Sequence, residues 1–272
     1  QDFSSSREVF MTFAKRQRGG SGTAVAVGKL SRDNSRLLDL RVLYEIASGS
    51  SGGRHFGSRI VEGKDGYLYV TVGDRGDRPS AQDLSRDNGS VLRIARDGRI
   101  PADNPFVGTD NARAAIWSYG HRNPQGAALD GDGNLWTVEH GARGGDEVNL
   151  IKRGANFGWP VISYGTHYSG GKIGEGTSKS GMEQPEYYWD PSIAPSGMMI
   201  YGGDMFPDWK GDFFVGSLKF DYISRLEDGG RLNEVEQLQS DETARVRDVR
   251  EAPDGSIWFL SVGDGAAYRL SK

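Results

Sequence analysis

The fold of this chain is decided by the stretch Ile60-Val61-Glu62-Gly63-Lys64-Asp65-Gly66-Tyr67-Leu68-Tyr69-Val70. Its two apolar runs flank Asp65-Gly66, an arrangement typical of a β-hairpin with a tight turn. A hairpin brings the end of its second strand close to the start of its first. His55 and Asp74 flank the two strands, so we expect their side chains to meet. A histidine beside a carboxylate, among glycines, is a candidate general base.

The same pattern of a polar Gly-containing turn followed by an aromatic-rich strand returns at 126–138, at 248–260 and, more loosely, at 210–216. Repeated units of this kind are typical of propeller blades. We therefore predict an all-β propeller with about five blades visible in the chain. The predicted blades are centred on residues 9–46, 59–94, 127–151, 199–226 and 249–270. The alternative is a β-sandwich in which the Asp-Gly turns recur by chance.

The composition of the 272 residues limits the classes of function. A net charge of −4 is not basic enough to suggest a nucleic-acid partner. No apolar run approaches the ~20 residues that span a bilayer, and 40 glycines indicate many tight turns. Cysteine is absent, which excludes disulfides, thiolate zinc sites, Fe–S clusters and a cysteine nucleophile. We expect a single domain over residues 1–272 that acts on a small molecule.

Seven separated motifs give the chain a specific resemblance. They are Gly53-Arg54-His55-Phe56-Gly57, Ser118-Tyr119-Gly120-His121-Arg122-Asn123-Pro124-Gln125-Gly126, Asp146-Glu147-Val148-Asn149-Leu150-Ile151, Asn156-Phe157-Gly158-Trp159-Pro160, Ile193-Ala194-Pro195-Ser196-Gly197, Gly216-Ser217-Leu218-Lys219 and Arg245-Val246-Arg247-Asp248-Val249. In this order they resemble the soluble PQQ-dependent aldose sugar dehydrogenases, which are relatives of soluble quinoprotein glucose dehydrogenase. The resemblance implies a six-bladed propeller that binds pyrroloquinoline quinone (PQQ) and Ca²⁺ and oxidises aldoses at C1 to lactones. The sequence does not identify the sugar or the electron acceptor.

The resemblance also bears on the start of the chain. It places Gln1-Asp2-Phe3 in the middle of the family's second blade. We therefore expect a fragment or a shortened form, without the first blade and without the family's quinone-contacting Gln. No signal peptide is visible and the chain begins without Met, so we expect a periplasmic or secreted protein whose export signal has been removed.

Two of the residues carry the chemistry that the resemblance implies. His55 matches the base that takes the proton from the anomeric hydroxyl, and Asp74 is expected to orient it. Without the resemblance, a lone His in a Gly-rich turn is more often a surface or hydrogen-bonded structural residue, and Asp74 could equally cap a turn. Arg54 stands where glucose-specific relatives carry an acidic residue, so a preference for glucose does not transfer.

The cofactor's three carboxylates call for fixed cations, and the Arg guanidinium suits a carboxylate through its planar fork. The family's cofactor positions correspond to Arg122, Asn123, Lys219, Arg245 and Arg247. Arg245 and Arg247 are two residues apart and are expected to share one face of a regular strand. Without the resemblance, an Arg-x-Arg pair is a solvated strand face.

Calcium is implied by the resemblance alone, since no EF-hand spacing is present. The carbonyls of Gly141 and Ala142 are expected to hold a catalytic Ca²⁺. Glu147 and the carbonyl of Phe157 are expected to hold a second, structural one. Residues 187–189, Tyr-Tyr-Trp, form either an aromatic wall beside quinone or sugar, or part of the core.

Two other functions stay open from the sequence. The first is a non-catalytic propeller that acts as a binding scaffold. The second is a Ca²⁺-dependent lactonase, which the sequence favours least because no clustered set of carboxylate and Asn ligands is visible.

Overall fold

The computed structural model describes residues 3–272, and its regular structure is almost entirely antiparallel β-strand. Gln1 and Asp2, which the resemblance assigns to a blade, lie outside the described residues. The strands are β1 Glu8–Gln17, β2 Gly20–Leu30, β3 Leu37–Glu45, β4 Ile60–Glu62, β5 Leu68–Val72, β6 Ser90–Ile94, β7 Ile116–Tyr119, β8 Pro124–Leu129, β9 Leu135–Glu139, β10 Asp146–Leu150, β11 Tyr187–Trp189, β12 Pro195–Ile200, β13 Phe213–Ser217, β14 Ile223–Asp228, β15 Leu232–Leu238, β16 Val246–Glu251, β17 Ile257–Ser261 and β18 Ala266–Leu270. The helices are short: an α-helix at Phe3–Ser6 and 3-10 helices at Arg78–Gln82, Pro207–Trp209 and Asp241–Thr243. No helix within residues 3–272 is long and apolar enough to cross a membrane.

The strands form five meander sheets in which chain neighbours pair: β1–β3, β4–β7, β8–β11, β12–β15 and β16–β18. Each sheet has the antiparallel order of a propeller blade. Each sheet overlaps one of the five predicted blades, so the predicted all-β blade pattern is confirmed.

The chain divides into two compact units. The first comprises the chain up to Asn123 together with Lys152–Trp159, and the second comprises Pro124–Ile151 and Pro160–Lys272. The first therefore carries β1–β7 and the second β8–β18.

The core of the first unit is built around the opening hairpin. Ile60 pairs with Val70 across β4 and β5, and Gly66 takes the positive φ of +79° that the tight turn requires. Val70 and Val72 are fully buried, and they pack with Leu92 and other apolar residues of β6 and β7. Burying a side chain of this size stabilises the fold by about 1.5–3 kcal/mol. The apolar residues of the hairpin therefore anchor it in the core, independently of the polar residues that flank it.

The second unit has two cores that share the strand β12. Met198 packs with Val138, Val148 and Val215, whereas its neighbour Met199 packs on the other side with Phe214. Consecutive residues of a strand point to opposite faces, so one strand supplies both cores.

The sequence missed the fourth strand of several blades. β7 and β11 are only four and three residues long, too short for a hydrophobic period to be visible. β15 alternates charged and apolar residues and was likewise not predicted. The 3-10 helix Arg78–Gln82 lies between β5 and β6, and β11 lies in the long segment between β10 and β12.

Candidate active site

His55 lies in the loop before β4 and has the positive φ of +53°. A non-glycine residue in this region is strained and is held only by its surroundings. The amide of Arg75 donates to the carbonyl of His55 at 3.3 Å. A Cβ at Gly73 would lie 2.3 Å from that carbonyl, so only glycine lets β5 continue past it. The sequence therefore fixes the loop against the end of β5.

The side chains of His55 and Asp74 meet, as the hairpin predicts. Nδ1 of His55 lies 2.6 Å from Oδ1 of Asp74. The imidazole is 16% exposed and the carboxylate is fully buried. The amide of Gly76 donates to Oδ1 at 2.7 Å, and the indole Nε1 of Trp159 donates to Oδ2 at 2.8 Å. Both carboxylate oxygens of Asp74 thus accept hydrogen bonds.

These contacts set the charge of the pair. Burial alone would raise the pKa of Asp74, but its hydrogen bonds and the charge of His55 outweigh burial and lower that pKa. An ionised Asp74 can only accept, so Nδ1 of His55 is the donor in this network. A neutral imidazole then carries its lone pair on Nε2. The arrangement is that of a base held in one tautomer and one orientation.

Arg75 secures the loop that carries His55. Its side chain is almost completely buried, with the guanidinium carbon 3.2 Å from the centroid of the Phe56 ring. It donates to the carbonyl of Gly52 at 2.7 Å and to that of Arg54. Burial lowers the pKa of Arg75 to about 10, so it stays a cation at neutral pH. Arg75 therefore ties the loop on both sides of His55.

Two predicted cofactor residues lie in the same unit. The carbonyl of Arg122 accepts from the amide of Asp74 at 2.9 Å, and its guanidinium lies over the Trp159 ring at 5.3 Å. Oδ1 of Asn123 accepts from the amide of Gly57 at 3.2 Å. The first unit thus brings four predicted site residues together: His55, Asp74, Arg122 and Asn123.

The other predicted cofactor cations are exposed residues of the second unit. Nζ of Lys219 donates to the carbonyl of Ser192 at 3.2 Å, and Nη1 of Arg245 donates to that of Leu218 at 3.1 Å. Lys219 and Arg245 are therefore neighbours. The expected strand alternation of Arg245 and Arg247 is wrong, because Arg245 has a φ of +56° and precedes β16. Both side chains are nevertheless exposed.

Gly141 and Ala142 lie in a loop that is crowded with backbone oxygens. A Cβ at Gly141 would lie 2.2 Å and 2.3 Å from the carbonyl oxygens of Gly144 and Gly145. The amide of Gly141 donates to the buried carboxylate of Asp146 at 2.8 Å. A glycine is required here by close approach, and the loop has the oxygen-rich character that suits a hard cation.

Glu147 lies directly opposite Glu139 in the β9–β10 ladder. Nδ2 of Asn149 donates to Glu139 at 3.1 Å and to Glu147 at 3.4 Å. Removal from water and the charge of Glu139 raise the pKa of Glu147 to about 8. Two further buried oxygens, Oδ1 of Asn149 and Oγ1 of Thr137, have no hydrogen-bond partner within residues 3–272. The two opposed carboxylates make this set oxygen-rich and negatively charged, so it fits a cation.

The set around Glu147 contains two carboxylates, and among residues 3–272 no three His, Asp or Glu side chains form a metal-binding group. Phe157 belongs to the first unit, where its ring stacks on His121 with centroids 4.5 Å apart. The shared site for Glu147 and the Phe157 carbonyl stays a prediction.

The predicted aromatic wall at 187–189 is divided. Trp189 is buried in the core, and Tyr187 packs against that core. Tyr188 is exposed and stacks on Tyr164 with centroids 4.1 Å apart. Alternation along β11 places the side chain of Tyr188 on the face opposite those of Tyr187 and Trp189.

Sequence reasoning missed Trp159, Arg75, Glu139 and Asn149. Trp159 lies in a quoted motif, and a buried indole N–H usually has a partner, which was a usable signal. The pairing of Glu139 and Asn149 with Glu147 depends on strand register, which the sequence did not fix.

A family model described as Glucose / Sorbosone dehydrogenase matches residues 1–269. Aldose sugar dehydrogenase YliI of Escherichia coli (strain K12) is 43% identical over 96% of this chain and 71% of its own length. A glucose dehydrogenase crystal structure is 40% identical with a TM-score of 0.94, over 99% of this chain and 79% of that one. The PQQ-bound aldose sugar dehydrogenase of Streptomyces coelicolor is 26% identical with a TM-score of 0.79, over 99% and 77%.

Proposed function

The chain belongs to the glucose/sorbosone dehydrogenase family, and we propose that it oxidises aldose sugars at C1 to lactones, with PQQ and Ca²⁺ as cofactors and His55 as general base. Membership makes it an oxidoreductase that acts on sugars. The PQQ-bound relative supports the choice of cofactor. The observation that carries the proposal is the hydrogen bond of 2.6 Å between His55 and the buried, ionised Asp74.

The proton step follows from the orientation of His55. Nδ1 donates to Asp74, so the lone pair on Nε2 accepts the proton of the anomeric hydroxyl. As that O–H bond breaks, C1 gives up its hydrogen with the bonding pair and the C1–O bond becomes a carbonyl. PQQ, when bound, is the acceptor of that hydride. The imidazolium that forms on His55 is stabilised by the adjacent charge of Asp74.

The residues present fit a tricarboxylate. Arg122 in the first unit and Lys219, Arg245 and Arg247 in the second are cations, and Asn123 adds an amide. Two of them are partly immobilised: Arg122 by the ring of Trp159 and Arg245 by the carbonyl of Leu218. We assign these five residues to the cofactor's carboxylates and carbonyls.

The residues also fit calcium at two places. We assign the carbonyls of Gly141 and Ala142 to a catalytic Ca²⁺, because the Gly141 loop gathers backbone oxygens. We assign Glu147 to a structural Ca²⁺, and the role of the Phe157 carbonyl stays a prediction from the sequence. The unpartnered Oδ1 of Asn149 and the opposed Glu139 support that assignment.

The test is reconstitution of the purified chain with PQQ and Ca²⁺, followed by aldose-dependent reduction of an artificial dye. PQQ binding is measured separately by fluorescence quenching. We expect micromolar binding of PQQ, and activity that falls by about 10²–10⁴-fold in His55→Ala with PQQ binding unchanged. If the chain bound no PQQ at micromolar concentration, the dehydrogenase proposal would be refuted, and a non-catalytic scaffold would be left.

We further propose a periplasmic or secreted location, with electrons passed from the reduced cofactor to an external acceptor. Fractionation of the native host tests the location. Recovery of the enzyme with cytosolic markers would overturn it.

A further inference from the structure

A cavity of about 830 Å³ lies in the second unit, between β11 and the β14–β15 hairpin. Its volume is within the range of ~300–1,000 Å³ of small-ligand sites. The residues that decide its chemistry are Tyr187, Trp189, Phe220, Tyr222, Glu234 and Gln237. None of the roles assigned so far uses this cavity.

Two carboxylates, Asp190 and Glu234, line the cavity, and three donors fix Glu234. Oγ of Ser224 donates to Oε1 of Glu234 at 2.5 Å, and Nε1 of Trp189 lies 3.4 Å from the same oxygen. Nε2 of Gln237 donates to Oε2 at 3.3 Å. Glu234 is therefore a preorganised acceptor whose position does not depend on a ligand.

Aromatic rings supply the apolar surface of the cavity. Phe220 is 38% exposed, and its ring is parallel to that of Tyr222 within 3°, with centroids 6.4 Å apart. Tyr187 lies edge-on to Trp189 with centroids 5.0 Å apart. Burial and then the charge of Glu234 raise the pKa of both Tyr187 and Tyr222, so both phenols keep their protons at neutral pH. The walls therefore combine flat rings with hydroxyl groups.

We infer that this cavity is a binding site for a neutral sugar ring other than the one that is oxidised. A pyranose has a C–H face that packs on an aromatic ring and an edge of hydroxyls that both donate and accept. Phe220 provides the first kind of surface, and Glu234 with the amide of Gln237 provides partners for the second. No described residue that lines the cavity is Lys or Arg, so an anionic ligand is disfavoured.

At Glu234, the hydrogen bonds of the carboxylate favour a neutral sugar over an organic cation. Its oxygens already accept from Ser224, Trp189 and Gln237, so its charge is partly satisfied within the protein. The rim amide of Gln237 is exposed and suits hydroxyl groups, whereas it has no preference for an ammonium group.

The cavity adjoins the cofactor residue Lys219, whose Nζ lies 4.6 Å from the centroid of the Phe220 ring. A sugar chain held in the cavity would therefore lie beside a residue of the proposed cofactor site. The inference goes beyond the proposed function, because binding here requires neither PQQ nor oxidation.

The test is calorimetric titration of the PQQ-free chain with methyl β-cellobioside, a neutral disaccharide without a free anomeric hydroxyl. This probe cannot be oxidised at C1, so its binding is measured whether or not the chain is a dehydrogenase. We expect saturable binding that Phe220→Ala and Gln237→Ala each weaken by about tenfold. His55→Ala and Tyr168→Ala, which removes an exposed ring elsewhere in the second unit, are the matched controls and should bind as the unaltered chain does.

Gln237 is exposed, so Gln237→Ala keeps the inference testable even if Phe220→Ala misfolds. The inference is overturned if the disaccharide does not bind, if neither cavity variant weakens binding, or if Tyr168→Ala weakens it equally. Saturable binding of choline in place of the disaccharide would also overturn it.

Discussion

Asp74 in the first unit and Glu147 in the second are both carboxylates withdrawn from water, but their neighbours differ. Asp74 accepts from His55, from the amide of Gly76 and from the indole of Trp159, and its pKa is lowered. Glu147 faces the carboxylate of Glu139, and among the described residues 3–272 its side chain accepts from Asn149 alone, at 3.4 Å. Burial and that opposed charge raise its pKa to about 8.

The difference shows what each group lacks. Asp74 has its partners within the protein, so it is ionised and serves to orient another group. Glu147 lies near a second carboxylate and near buried oxygens that have no hydrogen-bond partner within residues 3–272. A bound cation would therefore offset the negative charge and coordinate these oxygens. One arrangement suits proton transfer at His55, and the other suits Ca²⁺ at Glu147.

We expect the largest effect on activity from a substitution of Asp74 that breaks its pairing with His55. Asp74→Asn removes the charge that stabilises the imidazolium. An amide also both donates and accepts, so it no longer holds the proton of neutral His55 on Nδ1. We expect kcat for aldose oxidation to fall by about 10²–10⁴-fold while PQQ affinity is kept. Dye-reduction kinetics of the reconstituted enzyme measure it.

The double variant is the control for this prediction. Asp74 is proposed to act through His55, so Asp74→Asn should add little to the loss in His55→Ala. Independent, multiplying losses would show that Asp74 has a separate role.

The next effect concerns the second arrangement. If Ca²⁺ binds at Glu147, a concentration of 100 times Kd stabilises the chain by about 2.7 kcal/mol and raises its melting temperature. We expect Glu147→Gln to abolish that increase, as measured by scanning calorimetry with and without Ca²⁺. Glu186→Gln, which neutralises an exposed carboxylate of the same unit, should leave it unchanged.

In calcium-free buffer, the raised pKa of Glu147 predicts how the stability of the chain depends on pH. A folded-state pKa of Glu147 raised from 4.5 to about 8 means that the folded chain holds this proton more tightly than the unfolded chain. The associated stability is present below pH 4.5 and is lost as pH rises to about 8. At the upper end Glu147→Gln should therefore be at least as stable as the unaltered chain. A clear loss of stability there would contradict the account of Glu147.

The sequence predicted the part of the first arrangement that depends on local structure. An Asp-Gly hairpin fixes where its two flanks lie, so the meeting of His55 and Asp74 follows from Gly66 and the strand lengths alone. The all-β class follows in the same way from repeated turns and aromatic strands.

What the sequence could not supply depends on contacts between distant segments. Trp159 is 85 residues from Asp74 in the chain, and no local period connects them. Glu139 and Glu147 oppose each other only in one strand register, and a shift of one residue would turn either side chain to the other face. The positive φ of Arg245 also could not be predicted from strand alternation, which wrongly placed Arg245 and Arg247 on one face of a regular strand.

The smallest of these effects tests that distant contact. Trp159→Phe keeps a ring beside Arg122 but removes the N–H that donates to Asp74 at 2.8 Å. We expect a loss of about 1–3 kcal/mol in the free energy of unfolding at neutral pH, measured by urea denaturation. The donor favours the ionised form of Asp74, whose folded pKa lies below 3.8, so its contribution is present above pH 3.8 and is lost as pH falls through the folded pKa. The difference between variant and unaltered chain should therefore shrink in acid.

Trp136→Phe is the matched control, because Nε1 of Trp136 donates to Asp130 at a similar distance, 2.9 Å. Asp130 is partly exposed, so water can replace the lost indole and the cost should be below about 1 kcal/mol. If the two variants lost the same free energy of unfolding, the hydrogen bond to the buried Asp74 would contribute no more stability than the one to the partly exposed Asp130. A cost for Trp159→Phe that stays constant into acid would mean that the indole holds the loop by packing and not through the charge of Asp74.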